Sequence, residues 1–250
     1  MIINTKVINS FLEAVSPLLP EKFGTYDDAD TFPNLNEMLY NLRGLDTSAE
    51  IRFGVSKMVI IADSLGDEVI KIPFNGMFNF DTKYGYDECE DEYYAGPYCW
   101  QDFEGAPSDM DESDYCLAEY EIYRQLKEEK LQCFVAKTFL YTILPNNFRV
   151  FIQEKVIPID DSESSSLEEL TPISIQTLQE AQDYRSKKNF RATADWIARC
   201  IIRYGIKQTE RFMNYCCYTN YNINADMHFG NYGYRSNGTP CILDYSNFSM

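Results

Sequence analysis

Three residues near the end of the chain have the types and spacing for group-transfer chemistry. They lie in Ala225-Asp226-Met227-His228-Phe229-Gly230-Asn231-Tyr232-Gly233-Tyr234 and Ile242-Leu243-Asp244-Tyr245-Ser246. Asp226 precedes Asn231 by five positions, and Asp244 follows Asn231 by thirteen. Asp226 can accept a proton from a hydroxyl. The Asn231 amide and the Asp244 carboxylate offer the hard oxygen donors that a phosphate-bound cation takes. For these groups to meet, a short β-hairpin must return the chain so that Asp244 faces the same metal as Asn231. Asn237-Gly238 lies midway, where a hairpin turn of the Asn-Gly type is expected. The only histidine, His228, falls in the same loop.

Such a centre also needs a cation for the phosphates. Glu68-Val69-Ile70-Lys71-Ile72-Pro73-Phe74 reads as a strand with a lone Lys among apolar residues. An ammonium is costly to bury unless paired. Lys71 is therefore either an edge-strand residue directed at water or a phosphate contact. The second reading demands a carboxylate on a later helix, and Tyr115 to Leu126 is strongly amphipathic, with Leu117, Ile122, Tyr123 and Leu126 as apolar points. Apolar residues follow Glu119 at +3 and +4, which sets it toward the buried edge; Glu121 is the alternative.

The elements that must position these groups follow in chain order. Residues 1 to 50 read as helical, with one helix through Val7, Phe11, Leu12 and Val15 stopped by Pro20, and a second from Asn34 to Asn41 closed by Gly44. Ile51 to Ile61 is β-rich with Gly54 at a bend, Asp63 to Asp67 is a turn, and Glu68 to Phe74 is again a strand. Residues 81–114 are dense in Asp, Glu, Tyr and Gly, and read as an inserted acidic flap that recognises a partner or is a solvated loop. Phe134 to Ile143 and Arg149 to Val156 read as two strands joined at Pro145-Asn146-Asn147. Asp160 to Ser166 is a polar linker marking a boundary. Helices are expected over Ile175 to Arg185, Ala192 to Tyr204 and Lys207 to Tyr218.

Composition narrows the classes. The 250 residues suffice for one large domain or two small lobes around one site. A net charge of -17 opposes direct nucleic-acid binding, which needs Lys and Arg against phosphates, and suits a basic partner. The eight cysteines are scattered with no C-x-x-C pair, so they read as reduced, mostly buried thiols rather than a zinc site. With neither a signal-like N-terminus nor a membrane-length apolar run, a soluble cytoplasmic protein is expected.

The order β-β-β, helix, β-β, linker, helices, D-x-x-x-x-N, hairpin, Asp resembles the protein-kinase-like fold. Among its members, the Asp-Met-His-x-Gly-Asn wording resembles the small serine/threonine kinases of tailed bacteriophages, and the D-L-H-x-x-N loop of aminoglycoside-type kinases is also similar. The resemblance implies an α+β, two-lobed fold with a minimal, truncated C-lobe and an N-terminal helical extension. Its divisions would be a helical cap at 1–50, an N-lobe at 51–158 with the acidic insertion 81–114, and a C-lobe at 159–250. It implies ATP and Mg²⁺ as cofactors. Asp226 would orient or deprotonate the acceptor hydroxyl, and Lys71 would contact the phosphates and pair with Glu119. Asn231 and Asp244 would hold the metal. Gly54, Ser56 and Lys57 would cover the phosphates, with Lys57 supplying charge where the Gly-rich loop is reduced. Gln153, Glu154 and Lys155 would form the hinge that meets the adenine. His228 would stand where protein kinases place a Lys, and its ordinary pKa of about 6.5 would make that contribution pH-dependent.

The sequence departs from the family at Ala225, where kinases carry Arg, and at Tyr245-Ser246 in place of Phe-Gly. The chain ends at Met250, so no activation segment is expected after Asp244. The resulting expectation is a serine/threonine protein kinase acting on host proteins, basic ones suiting its charge, in a bacterial cytoplasm. Ser162 to Ser166 and Ser246 are candidate self-modification sites. The alternatives are a small-molecule kinase and a kinase-like acidic protein that inhibits a host factor by binding.

Overall fold

The computed structural model describes residues 4–19, 34–54, 57–73, 78–79, 85–87, 92–94, 98–99, 115–145, 148–158, 187–219, 222–223 and 231–245. The linker Asp160 to Ser166, the helix expected over Ile175 to Arg185, most of the acidic insertion and Ser246 lie outside them. The chain forms two compact units, residues 1–117 with 139–153 and residues 118–138 with 154–250. The chain passes from the first unit to the second at 117–118, returns at 138–139 and leaves it again at 153–154. Most of the helix after the acidic insertion shares a core with the C-terminal segments.

In the first unit, α1 (Thr5–Val15) is capped by Asn4, whose side chain accepts from the Val7 N–H at 3.4 Å. Its residues Ile8, Phe11, Leu12 and Val15, spaced for one helix face, are buried. A 3₁₀ turn with Pro17 ends it. The second helix, α2 (Leu35–Leu45), runs past Asn41 and includes Gly44, against expectation. Its stop lies instead at Asp46, whose N–H bonds back to Leu42 C=O.

The Asp46 carboxylate accepts from Ser48 N–H (2.9 Å), Ser48 Oγ–H (2.6 Å) and Ser64 N–H (2.8 Å), while Ser48 Oγ accepts from Asp63 N–H (2.8 Å). This ties the end of α2 to the turn between the second and third strands. The bonds from Ser48 and Ser64 hold the carboxyl well below the usual carboxylate range. A depressed folded-state pKa gives stability that is full above the unfolded value of about 4 and declines as pH falls below it. Asp46→Asn is therefore expected to lower the thermal midpoint at pH 7, with the gap from wild type narrowing as pH drops below about 4. Thermal melts at several pH values would show this; a gap independent of pH would rule it out.

The sheet of this unit contains β1 (Glu50–Gly54), β2 (Lys57–Ile61), β3 (Glu68–Pro73) and, after the insertion, two more strands. Within the insertion, β4 (Phe78–Asn79) pairs with β7 (Tyr98–Cys99) and β5 (Gly85–Asp87) pairs with β6 (Glu92–Tyr94), as two nested antiparallel ribbons. The helix α3 (Tyr115–Glu128) follows. The expected strand from Phe134 begins only at Thr138, giving β8 (Thr138–Ile143) and then β9 (Arg149–Glu154). Phe134 to Lys137 was β-rich in composition, but Gln132–Phe134 is a 3₁₀ turn and Val135 bridges to Ile242. The sheet order is β1-β2-β3-β9-β8.

Alternation gives this sheet two different faces. Met58, Ile60, Ile70, Ile72, Val150 and Ile152 join α1 and α2 in one apolar core. Each such fully buried side chain contributes about 1.5–3 kcal/mol. Lys57, Lys71 and Gln153 stand on the other face of the same strands.

The second unit is built on α3, a short β10 (Ile157–Pro158), and the helices α4 (Lys187–Tyr204) and α5 (Ile206–Phe212). The helix expected over Lys207 to Tyr218 ends early: Met213–Cys217 forms a π-helical turn, and β11 (Tyr218–Thr219) pairs with β12 (Asn222–Ile223). Ile122 and Leu126 of α3 meet Leu131, Phe134, Trp196, Phe212 and Tyr232 in its core. Phe134 stacks on Phe212 at 4.4 Å, and Trp196 on Tyr232 at 5.2 Å. The hairpin β13 (Tyr232–Tyr234) and β14 (Pro240–Ile242) completes it, with β10 against β13. A Cβ on Gly233 would collide with Ile157 O and Val156 Cγ1, so only glycine lets β10 approach.

Candidate functional site

In the first unit β1 and β2 pair antiparallel. Gly54, from the expected phosphate-covering segment, pairs with Lys57 at the end of that register. Ser56 lies outside the described residues. Lys57 pairs with Pro73, and Val59 with Lys71. Lys57 and Lys71 are thus diagonal neighbours on one face, at a spacing of about 7–8 Å. Both are buried, Lys57 at 6% and Lys71 at 3% exposure. The edge-strand alternative for Lys71 is excluded, because β3 is interior to the sheet, between β2 and β9. Two buried lysines on one sheet face each require anionic or polar partners for the ammonium. Gln153, also buried, closes the adjoining β9.

The chain passes from the first unit to the second between Gln153 and Glu154, within the segment expected to form a hinge. In the second unit, Glu154 N–H donates to Lys137 C=O at 2.9 Å, and Lys137 N–H donates to Glu154 Oε2 at 3.2 Å. Glu154 Oε1 receives Arg235 Nε–H at 2.9 Å. The Glu154 side chain is thus part of a structural tie, and Lys155 beside it is half-buried.

Burial separates the two carboxylates weighed on α3. Glu119 is 0% exposed, whereas Glu121 faces outward. Next to Glu119 lies Tyr245: burial first, and then the Glu119 carboxylate, push its phenol far above the usual range. The Tyr245 hydroxyl donates to Ala136 C=O at 2.7 Å and shares a second hydrogen bond of 2.7 Å with the Thr138 hydroxyl.

The hairpin forms where Asn237-Gly238 marked it, though with a longer loop than the two-residue kind. Arg235 N–H donates to Thr239 C=O at 2.9 Å, Gly238 N–H donates to Arg235 C=O at 2.8 Å, and Gly238 has φ 76°. This is the three-residue loop with glycine in the left-handed position. Its consequence is that Leu243 N–H donates to Asn231 C=O at 2.9 Å. Asn231 and the Leu243-Asp244 step, thirteen residues apart in sequence, are adjacent in space. Asn231 is buried and Asp244 is part-exposed. Asp226 and His228 lie outside the described residues.

Sequence reasoning missed Arg235 and Tyr204. Arg235 also donates to Val135 C=O at 2.7 Å and Cys133 C=O at 3.0 Å, and Tyr204 Oη–H points to Cys133 and Pro240 carbonyls, each at 2.8 Å. Cys116, Cys133, Cys200 and Cys241 are free thiols. Burial pushes Cys200 well up and Cys241 to about 12, which leaves both protonated and unreactive at neutral pH.

Among the described residues, no group of three or more His, Cys, Asp or Glu side chains could hold a metal ion, and no helix is long and apolar enough to cross a membrane. No protein-family model matches the chain, and no curated protein is significantly similar to it.

Proposed function

We propose that this chain is an ATP- and Mg²⁺-dependent phosphotransferase of the two-lobed protein-kinase-like class, transferring phosphate to Ser or Thr of proteins. The observation that carries the reading is the β13–β14 hairpin, which brings Asn231 and the Leu243-Asp244 step together through one backbone hydrogen bond of 2.9 Å. An amide oxygen and a carboxylate are too few donors to hold a cation alone. They suit Mg²⁺ that completes its shell with nucleotide phosphates and water. Bound there, the cation would neutralise charge on the transferring phosphates.

The buried Lys57 and Lys71 on one sheet face support the same reading, as a cationic surface for polyphosphate. Lys71 and Glu119 keep the roles that the kinase resemblance gives them, and Gln153 to Lys155 are assigned to adenine. Asp226 orients the acceptor hydroxyl and takes its proton. Phosphoryl transfer depends on positioning and charge neutralisation more than on covalent catalysis, so a small scaffold is sufficient. A chain charge of -17 favours basic acceptor proteins, with proteins of a bacterial host as the proposed class.

The test is transfer of labelled γ-phosphate from ATP and Mg²⁺ into a bacterial lysate by wild type and Asp226→Asn. Label on protein bands, reduced about 10²–10⁴-fold in Asp226→Asn, is expected. ATP consumption with no labelled protein would redirect the assignment to a small-molecule acceptor. Absence of turnover would overturn the catalytic reading in favour of a kinase-like binding protein.

A further inference from the structure

We infer that Tyr245 is a positioning residue for Asp244, holding the proposed metal ligand beside Asn231; the inference rests on the phosphotransferase reading. The run Ile242-Leu243-Asp244-Tyr245 leaves the hairpin as non-repetitive chain, where a backbone would ordinarily be free to vary. Here it is fixed on both sides of Asp244. Ile242 C=O accepts from Ala136 N–H at 2.7 Å, and Leu243 N–H reaches Asn231 C=O at 2.9 Å. Beyond Asp244, the buried Tyr245 reaches back to the same segment, with Ala136 C=O and Thr138 Oγ1 each at 2.7 Å from its hydroxyl. The Ala136 peptide neighbourhood therefore grips the chain before and after the ligand. Ile242 and Tyr245 are buried while Asp244 remains part-exposed, so the grip presents that one carboxylate.

A phenylalanine at 245 would fill the same space without the hydroxyl. Packing would be kept and the second anchor lost. The Asp244 backbone would then be held beside Asn231 from one side only. Outer-shell partners of metal ligands typically change metal affinity by about 10–100-fold.

The experiment is a titration of the full chain with Mn²⁺ in the presence of a non-hydrolysable ATP analogue, with protein-bound Mn²⁺ read by electron paramagnetic resonance beyond the nucleotide-only background. Thermal midpoints are recorded for each protein. Tyr245→Phe should remain folded and bind Mn²⁺ about tenfold more weakly. Thr138→Val should weaken binding in the same direction, and Thr138→Ser, which keeps the hydroxyl, should retain wild-type affinity. Should Tyr245→Phe fail to fold, the Thr138 pair decides. A lower midpoint with unchanged Mn²⁺ affinity in Tyr245→Phe and Thr138→Val would reduce Tyr245 to a packing role and overturn the inference, leaving the phosphotransferase reading intact. Wild type that binds no Mn²⁺ with the analogue would overturn that reading and this inference with it.

Discussion

Lys71→Met should lower the rate of phosphate transfer by about 10²–10³-fold, the loss typical of removing one preorganised group that stabilises developing charge. Methionine is chosen because Lys71 is buried to 3% exposure on an interior strand, and a shorter side chain would add a cavity to the electrostatic change. Met keeps most of the stem volume and removes only the ammonium. Its thermal midpoint should fall, because the partners that hold a buried ammonium are left without their counter-charge. Lys57→Met, one diagonal away on the same face, should cost less, since that residue stands at the first position of β2 and Lys71 in the middle of β3. Because the two lysines are neighbours, the double variant is expected to deviate from additivity. Steady-state kinetics with varied ATP, paired with thermal melts, would check this. Full transfer activity in Lys71→Met would remove Lys71 from the phosphate site. A collapse of stability without a specific loss of rate would make it a structural ion-pair residue.

How far the site could be read in advance depended on whether the signal was local. Lys71 stood out because an ammonium in an apolar strand is anomalous whatever the fold. The apolar residues three and four positions after Glu119 marked it over Glu121, and burial agrees. Asn237-Gly238 marked the hairpin, because a left-handed residue is needed there; the loop length was not encoded in that dipeptide. The face shared by Lys57 and Lys71 follows from the β2–β3 register, which a sequence determines only once its turn is known. The residues that were missed act over long separations. Arg235 bonds to Val135 a hundred positions earlier, and Tyr204 to Cys133 across 71. No periodicity reports such contacts. The start of β8 differs for the same reason: Phe134 to Lys137 has strand-like composition, but Val135 and Ala136 pair with Ile242. Asp226 and His228 remain assignments from sequence, outside the described residues.

Arg235→Ala is expected to be the most destabilising single change in the second unit. The guanidinium ties its hairpin to two other segments: Nε–H to Glu154 Oε1 at 2.9 Å, and in the 133–135 stretch one amino group to Cys133 C=O at 3.0 Å and the other to Val135 C=O at 2.7 Å. Its side chain is 15% exposed and that of Glu154 23%, so water reaches the pair only in part. Burial works against the charge, but Cys241 and Tyr204, which ionise only at very high pH, together with the Glu154 carboxylate outweigh it, and Arg235 stays above its ordinary value. It is therefore charged at every working pH, and the tie has no pH window of its own below that. Alanine would leave Glu154 holding only the Lys137 N–H, and two carbonyl oxygens would lose a donor. Breaking a buried pair from one side costs about 3–5 kcal/mol. In a chain of this length that corresponds to roughly 10 °C in midpoint, at about 2–4 °C per kcal/mol. Arg235→Lys should fall between, because a point charge cannot serve three acceptors in a fixed fork. Adding Glu154→Gln to Arg235→Ala should recover part of the loss, since the stranded carboxylate is what makes the single change costly. Calorimetry of the four proteins decides it: strict additivity, or a shift under about 2 °C for Arg235→Ala, would show that the tie is not what holds these segments. The consequence for the site is direct, because Arg235 lies at the turn of the hairpin whose far ends carry Asn231 and Asp244. Loosening its grip on Cys133, Val135 and Glu154 releases the scaffold on which both proposed metal ligands are built.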